Sequence, residues 1–316
     1  MLFLKVACEG AIQQLPKQKF QSNSGELILP TEWTVRDVLD WTKGYFQEAG
    51  IEKSRLDAEI LLAHTLEMER IELYLEPNRP VSQEELNEYK PLIKKRKGGV
   101  PLQYITGQVN FMGLTLRVDK RALIPRPETE ELIEELISNH RESENLRVLD
   151  LGTGSGAISI ALAKFLVRPT ILATDVDVSA LELAKENAEL NEVEDRIEFR
   201  QSNWFDSIDG SFDLIVTNPP YVAADELEDL SPKIKDQEPT IALDGGEDGM
   251  EDIAHILQNA PSYLTTSGCL YMEIGHEQGD LVREVLEDDT NYRSKEIMKD
   301  SGGRERILIA QETTRD

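Results

Sequence analysis

The chain has 316 residues, with 34 Lys and Arg against 60 Asp and Glu and a formal net charge of -26. Its length suggests two domains, and a composition that is 40% hydrophobic and 30% charged is that of a soluble globular protein with a sizeable core. No stretch approaches the ~20 apolar residues of a bilayer span, two cysteines exclude a disulfide scaffold, and four scattered histidines offer no metal-ligand spacing, so neither a membrane nor a metal is expected.

Residues 1–30 lack the basic segment, uninterrupted apolar run and small-residue cleavage site of a secretory signal, and read as a weakly ordered extension of a cytoplasmic protein. Thr34 reads as a helix N-cap, followed by Val35, Val38, Leu39, Trp41, Thr42 and Phe46 at helical spacing as far as Gly50. A second helix is expected over Ser54–Glu67, and a third begins at Ser82 with Glu85 at the capping-box position and ends in the basic run Lys94–Lys97. Four cations at a helix C-terminus before Gly98 and Gly99 complement the helix dipole. Residues 31–98 are therefore a small all-helical domain, and 99–124, alternating around Gly113, a β-hairpin linker.

A helix over Glu128–Asn139 opens the remaining domain, 125–316. Strands at Arg147–Leu151, Thr170–Thr174, Arg196–Arg200, Phe212–Thr217 and Cys269–Ile274 alternate with helices at Ala157–Phe165, Ser179–Leu190, Met250–Ala260 and Asp280–Leu286. Such alternation argues for a parallel α/β sheet covered on both faces. Tyr292–Met298 and Arg306–Ala310 pair through Gly302 and Gly303, which sets one antiparallel strand in the sheet. Nearly all the acidity lies in this part: residues 131–316 carry 16 basic and 41 acidic side chains. A domain that grips a phosphate backbone needs the opposite charge.

Two motifs carry the chemistry. Gly152, Thr153, Gly154, Ser155 and Gly156 follow the first strand and open a helix, where the backbone turns tightly and offers free N–H groups to a ligand. The next strand ends at Asp175, placed to accept both ribose hydroxyls of an adenosine ligand. This spacing fits a dinucleotide or S-adenosylmethionine. Asn218-Pro219-Pro220-Tyr221 follows the fourth strand at its C-terminal end, the edge at which ligands bind in open α/β sheets. The Asn218 amide oxygen and the Pro219 carbonyl are two acceptors, Pro220 stiffens the turn, and Tyr221 offers a flat ring. Together they form a clamp for a planar –NH2 group. A sulfonium methyl is already electrophilic, so positioning such a nitrogen carries most of the rate. Nicotinamide hydride chemistry gives this motif no comparable role.

With these motifs, the chain resembles the release-factor glutamine methyltransferases (the PrmC/HemK family). The resemblance runs from about Thr34 to Ala310 through "PLQYITG" at 101–107, "LIPRPETEEL" at 123–132, "LDLGTGSGAI" at 149–158, "NPPYV" at 218–222, "EPTIALDGGEDG" at 238–249, "MEIG" at 272–275 and "KDSGGRERI" at 299–307. It implies a class I S-adenosylmethionine-dependent methyltransferase fold: a Rossmann-like, mostly parallel seven-stranded sheet with an antiparallel terminal strand, preceded by the helical domain and hairpin. It implies methylation of the side-chain amide nitrogen of the glutamine in the Gly-Gly-Gln motif of class-1 peptide-chain release factors, by a protein expected to be monomeric and not to bind nucleic acid directly. By motif match, Gly152–Gly156 hold the methionine part of the cofactor, Asp175 its ribose, and Trp204 walls the adenine, ordinary core packing being the other reading of Trp204. Asn218, which also lies near the cofactor, binds the substrate amide, and Pro219, Pro220 and Tyr221 complete the glutamine pocket. Asp177 reads as the cap of the following helix. Asn203 stands where an acidic residue is common in that family.

The same planar geometry admits an adenine or guanine amino group, and the same chemistry a glutamine of a large-subunit ribosomal protein. The charge of residues 131–316 opposes the first, and the intact "PRPETE" and "DLGTG" stretches oppose the second.

Overall fold

The computed structural model describes residues 20–21, 27–28, 32–229, 238–287 and 289–312. The extension expected over 1–30 therefore falls outside the described residues except for two short strands. The chain divides into two compact units, Met1–Lys97 and Gly98–Asp316.

In the first unit, β1 (Phe20–Gln21) pairs antiparallel with β2 (Leu27–Ile28). Next come β3 (Trp33–Thr34), α1 (Val35–Glu48), α2 (Ser54–Thr65), α3 (Glu72–Leu75), β4 (Pro80–Val81), which pairs with β3, and α4 (Gln83–Lys97). Both expected caps form. The Thr34 hydroxyl accepts from Asp37 N while the Asp37 carboxylate accepts from Thr34 N, and Ser82 and Glu85 make the same exchange at α4. Two members of the basic run do more than complement a dipole. Arg96 Nε donates to the buried Asp57 carboxylate on α2 at 2.7 Å, and Lys97 Nζ donates to the Tyr45 hydroxyl at 3.1 Å.

The second unit begins with a short helix, α5 (Leu102–Thr106), where the sequence alternation suggested hairpin. Pro101 sets its start, and Gly107, left-handed at φ +73°, ends it. The hairpin itself is shorter, β5 (Gln108–Phe111) against β6 (Leu114–Arg117). Then follow α6 (Pro127–Asn139), β7 (Arg147–Leu151), α7 (Ala157–Phe165), β8 (Thr170–Asp175), α8 (Val178–Leu190), β9 (Ile197–Gln201), β10 (Phe212–Thr217), α9 (Ala224–Asp229), α10 (Glu251–Asn259), β11 (Leu264–Glu273), α11 (Gly279–Leu286), β12 (Tyr292–Lys299) and β13 (Glu305–Glu312).

Seven strands form one sheet in the order β12-β13-β11-β10-β7-β8-β9, with β13 running against its neighbours and the others parallel to one another. The continuous apolar runs of the central strands follow from their burial on both faces. Along β10, Leu214 and Val216 enter one core cluster with Leu132, Leu136 and Ile160, while Ile215 between them enters the other with Ile253, Ile256 and Val282. This period-2 division is why a strand with hardly a polar residue still has two distinct sides. Strand order reverses between β7 and β10, so a crevice opens at their C-terminal ends. Asn187 of α8 fixes the hairpin beside it: its amide oxygen accepts from Arg117 N, and its amide nitrogen donates to Arg117 O and Ser155 O. No helix among the described residues is long and apolar enough to cross a membrane.

Candidate active site

A cavity of about 500 Å³ occupies this crevice. Its wall brings together Gly152, Thr153, Gly154 and Ser155 after β7, Asp175 and Asp177 after β8, Asn203 and Trp204 after β9, and Asn218 and Pro220 after β10. Ala122, Leu123, Ile158 and Ala180 add apolar surface. This size and lining suit a nucleoside-sized ligand with a few polar anchors.

The glycine loop is held from below. Asp150, wholly buried, accepts from the Thr153 hydroxyl at 2.7 Å, from Ser159 N at 3.2 Å and from the Ser159 hydroxyl. Burial pushes its carboxyl up to about 6. Thr153 N donates to Thr174 O at 2.8 Å, which ties the loop to β8. Gly152, at φ +70°, lets the backbone pass beside Trp204, whose ring would lie 3.5 Å from an added Cβ. Gly156 does not line the cavity. It is left-handed at φ +82°, and a Cβ there would stand 3.2 Å from Ala184 Cα, so it permits close packing of α7 on α8. Gly156→Ala is expected to cost about 1–2 kcal/mol from the left-handed backbone alone. An unchanged urea midpoint would contradict this.

Asp175 sits at the tip of β8. Its two carboxylate oxygens accept from Gly154 N and Asp177 N, both at 2.9 Å. Each oxygen keeps a second lone pair for a ligand hydroxyl. Burial raises its pKa, and the nearby Asp177 charge adds to the rise. Asp177 caps α8 as expected, accepting from Ser179 N at 2.8 Å. Trp204 is half-buried on the cavity wall, in the left-handed region at φ +46°, and its indole N–H donates to Asp252 at 2.8 Å. Trp204 packs against the core cluster beneath the site and also lines the cavity.

The Asn218 turn divides. Asn218 and Pro220 line the cavity, whereas Pro219 is buried and Tyr221 lies off the wall. The Tyr221 hydroxyl donates to Glu273 at 3.3 Å, and its carbonyl accepts from Gln278 at 3.0 Å. The half-buried Tyr221 thus ties the turn to the end of β11. Asn218 Nδ2 donates to the Thr129 hydroxyl at 3.2 Å. The stiff Pro125–Pro127 loop forms another part of the wall, held by Arg126 on the buried Glu238 carboxylate at 2.5 Å.

Thr129, Glu273, Asp252 and Glu238 carry no role in the sequence reading. Thr129 and Glu273 lie in the "PRPETE" and "MEIG" stretches, and a lone carboxylate inside the apolar run Leu270–Ile274 is the signal that marks Glu273. Nothing local marks Asp252.

The seven-stranded sheet with one reversed strand, and this crevice at the C-terminal ends of its strands, are those of a class I S-adenosylmethionine-dependent methyltransferase. Residues 37–107 match the PrmC N-terminal domain family, and residues 128–234 the methyltransferase small domain family. A release factor glutamine methyltransferase of Geobacter sulfurreducens is 41% identical over 88% of this chain and 97% of its own length. Those of Rhodopirellula baltica and Aliivibrio fischeri are each 38% identical, over 89% and 83% of this chain and 97% and 92% of theirs. The chain belongs to the release factor glutamine methyltransferase family.

Proposed function

We propose that this enzyme uses S-adenosylmethionine to methylate the side-chain amide nitrogen of the glutamine in the Gly-Gly-Gln motif of class-1 peptide-chain release factors, a modification of the translation-termination machinery. The observation that carries the reading is that Asn218 presents an amide to the same cavity as the glycine loop and Asp175. The cavity fits the cofactor: Asp175 retains lone pairs for two ribose hydroxyls, Gly152–Ser155 offer backbone to its methionine part, and Trp204 provides a flat wall for its adenine. The bound cofactor supplies an electrophilic methyl group.

The chain's own part is positioning. A planar amide nitrogen is a poor nucleophile, because its lone pair is delocalised. An acceptor on its N–H holds the nitrogen in line and stabilises positive charge as the new N–C bond forms and the sulfur–methyl bond breaks. The proton then leaves to solvent, so no general base is required before transfer. Pro219 stands behind the wall, so Asn218 is the side chain of this turn that offers an acceptor to the cavity, while Tyr221 acts on Glu273. Purified release factor, incubated with enzyme and labelled cofactor, is the direct test.

A nucleobase amino group has the same planar geometry. Residues 131–316, with 41 acidic side chains against 16 basic, favour a protein partner over a phosphate backbone. The reading extends to the charge: a release factor works against ribosomal RNA, and basic surface on it would be attracted by this domain. kcat/KM for the protein substrate is therefore expected to fall as ionic strength rises, as screening over a Debye length of about 8–10 Å weakens the attraction. A flat profile would reduce the charge to a solvated surface.

A further inference from the structure

Thr129 and Glu273 form a buried chain of hydrogen bonds that ends on the Asn218 amide. Glu273 is wholly buried at the end of β11, and Thr129 is buried in the first turn of α6. The Thr129 hydroxyl lies 2.6 Å from Glu273 Oε2. Burial raises the Glu273 pKa, against the hydrogen bonds from Thr129 and Tyr221 and the Arg306 charge, which favour the ionised form. In that form the carboxylate only accepts, so the single hydroxyl hydrogen of Thr129 is committed to Glu273. What Thr129 turns toward Asn218 is then a lone pair. An amide can meet a lone pair only with its –NH2 end, which agrees with Asn218 Nδ2 lying 3.2 Å away. The Asn218 oxygen is left as the end free to accept from substrate. On its other side, Glu273 Oε1 accepts from Tyr221.

We propose that Thr129 is a positioning residue for methyl transfer: together with Glu273 it fixes the flip state of the Asn218 amide, so that the substrate meets an acceptor and not a donor. The inference rests on the reading that Asn218 receives the substrate amide. Without the chain, the two orientations of the Asn218 side chain are nearly equivalent to the turn that carries it. About half of the molecules would then present –NH2 to an incoming –NH2 group, and two donors repel. The Thr129 methyl cannot provide this selection, and the hydroxyl can. The chain also shows how Tyr221 contributes from off the cavity wall, since it holds the second oxygen of the same carboxylate.

The test compares Thr129→Val and Thr129→Ser in the full chain, with a release factor as substrate. Valine keeps the shape and removes the hydroxyl, whereas serine keeps the hydroxyl. Thr129→Val is expected to lower kcat by about 10- to 100-fold, the scale for misplacing a group at the reacting centre. Cofactor affinity by calorimetry is expected to stay unchanged, and Thr129→Ser to recover most of the lost kcat. Wild-type kcat in Thr129→Val overturns the proposal. So does an equal loss in Thr129→Ser, because shape would then be the cause. So does a kcat loss that comes with an equal loss of cofactor affinity. Should valine prevent folding, which a thermal melt reports, Thr129→Ala provides the same comparison with serine. Asn218→Ala, assayed beside them, separates the two failures. Full turnover there refutes the Asn218 reading itself, and loss there with normal Thr129→Val refutes only the chain.

Discussion

Asn218→Ala is expected to lower kcat for glutamine methylation by roughly 1,000-fold, the upper range for removal of one preorganised polar group from a transition-state site. The cause is specific. The substrate amide nitrogen must be held with its N–H bonds directed while its lone pair turns toward the methyl group. Asn218 lines the cavity at the turn after β10, and its amide nitrogen is engaged by Thr129, so its oxygen is the proposed acceptor. Alanine leaves the cavity wall and its prolines in place but removes the acceptor. Cofactor affinity is expected to change by less than about threefold, equivalent to ~0.6 kcal/mol, because the proposed ribose anchor, Asp175, stands on the far side of β7 in the sheet order. Turnover near that of the parent enzyme would end the clamp account.

Asp175→Ala has its large effect on the other ligand. A charge-assisted hydrogen bond to a ribose hydroxyl is worth ~1.5–3 kcal/mol, so loss of even one raises Kd for S-adenosylmethionine about 10- to 150-fold, the least change expected. The raised pKa of Asp175 adds a pH signature. Only the ionised carboxylate accepts from both hydroxyls, so affinity weakens as pH falls through that pKa. The alanine variant loses this contribution, and its pH profile flattens. Asp177 faces the same carboxylate through its charge, and Asp150 interacts with it electrostatically, so Asp175 titrates among other acids. Calorimetry that finds unchanged affinity would remove Asp175 from the site.

The parts of this molecule that are legible in its sequence are those set by neighbours in the chain. Strand and helix alternate in 147–312 with periods that reveal burial, and the glycine loop, Asp175 and Asn218 fall at strand ends because the motif includes the strand. The expected caps at Thr34, Ser82 and Asp177 form for the same local reason. Where longer-range packing decides, the reading departs from the structure. β11 starts at Leu264, five residues before the expected strand, because Leu264 pairs with Phe212 and an irregularity in register absorbs the polar residues between. Residues 102–106 fall within the expected hairpin linker, yet Pro101 and Gly107 make them a helical turn. Tyr221 reads as a stacking ring, and its hydroxyl also donates to a carboxylate 52 residues away, a contact that the motif does not announce. The Thr129–Glu273 bond joins residues 144 apart, and the Trp204–Asp252 bond residues 48 apart. Neither pair has a spacing that a sequence could display. Glu273 alone left a trace, as a charge inside an apolar strand.

Purified class-1 release factor is incubated with this enzyme and isotopically labelled S-adenosylmethionine, digested, and mapped by mass spectrometry, beside parallel reactions containing ribosomal protein and nucleic acid. The account predicts one labelled methyl group on the side-chain amide of the glutamine in the Gly-Gly-Gln peptide. A Gly-Gly-Gln peptide without label, with the methyl group appearing in the nucleic acid or in the ribosomal protein, would contradict it.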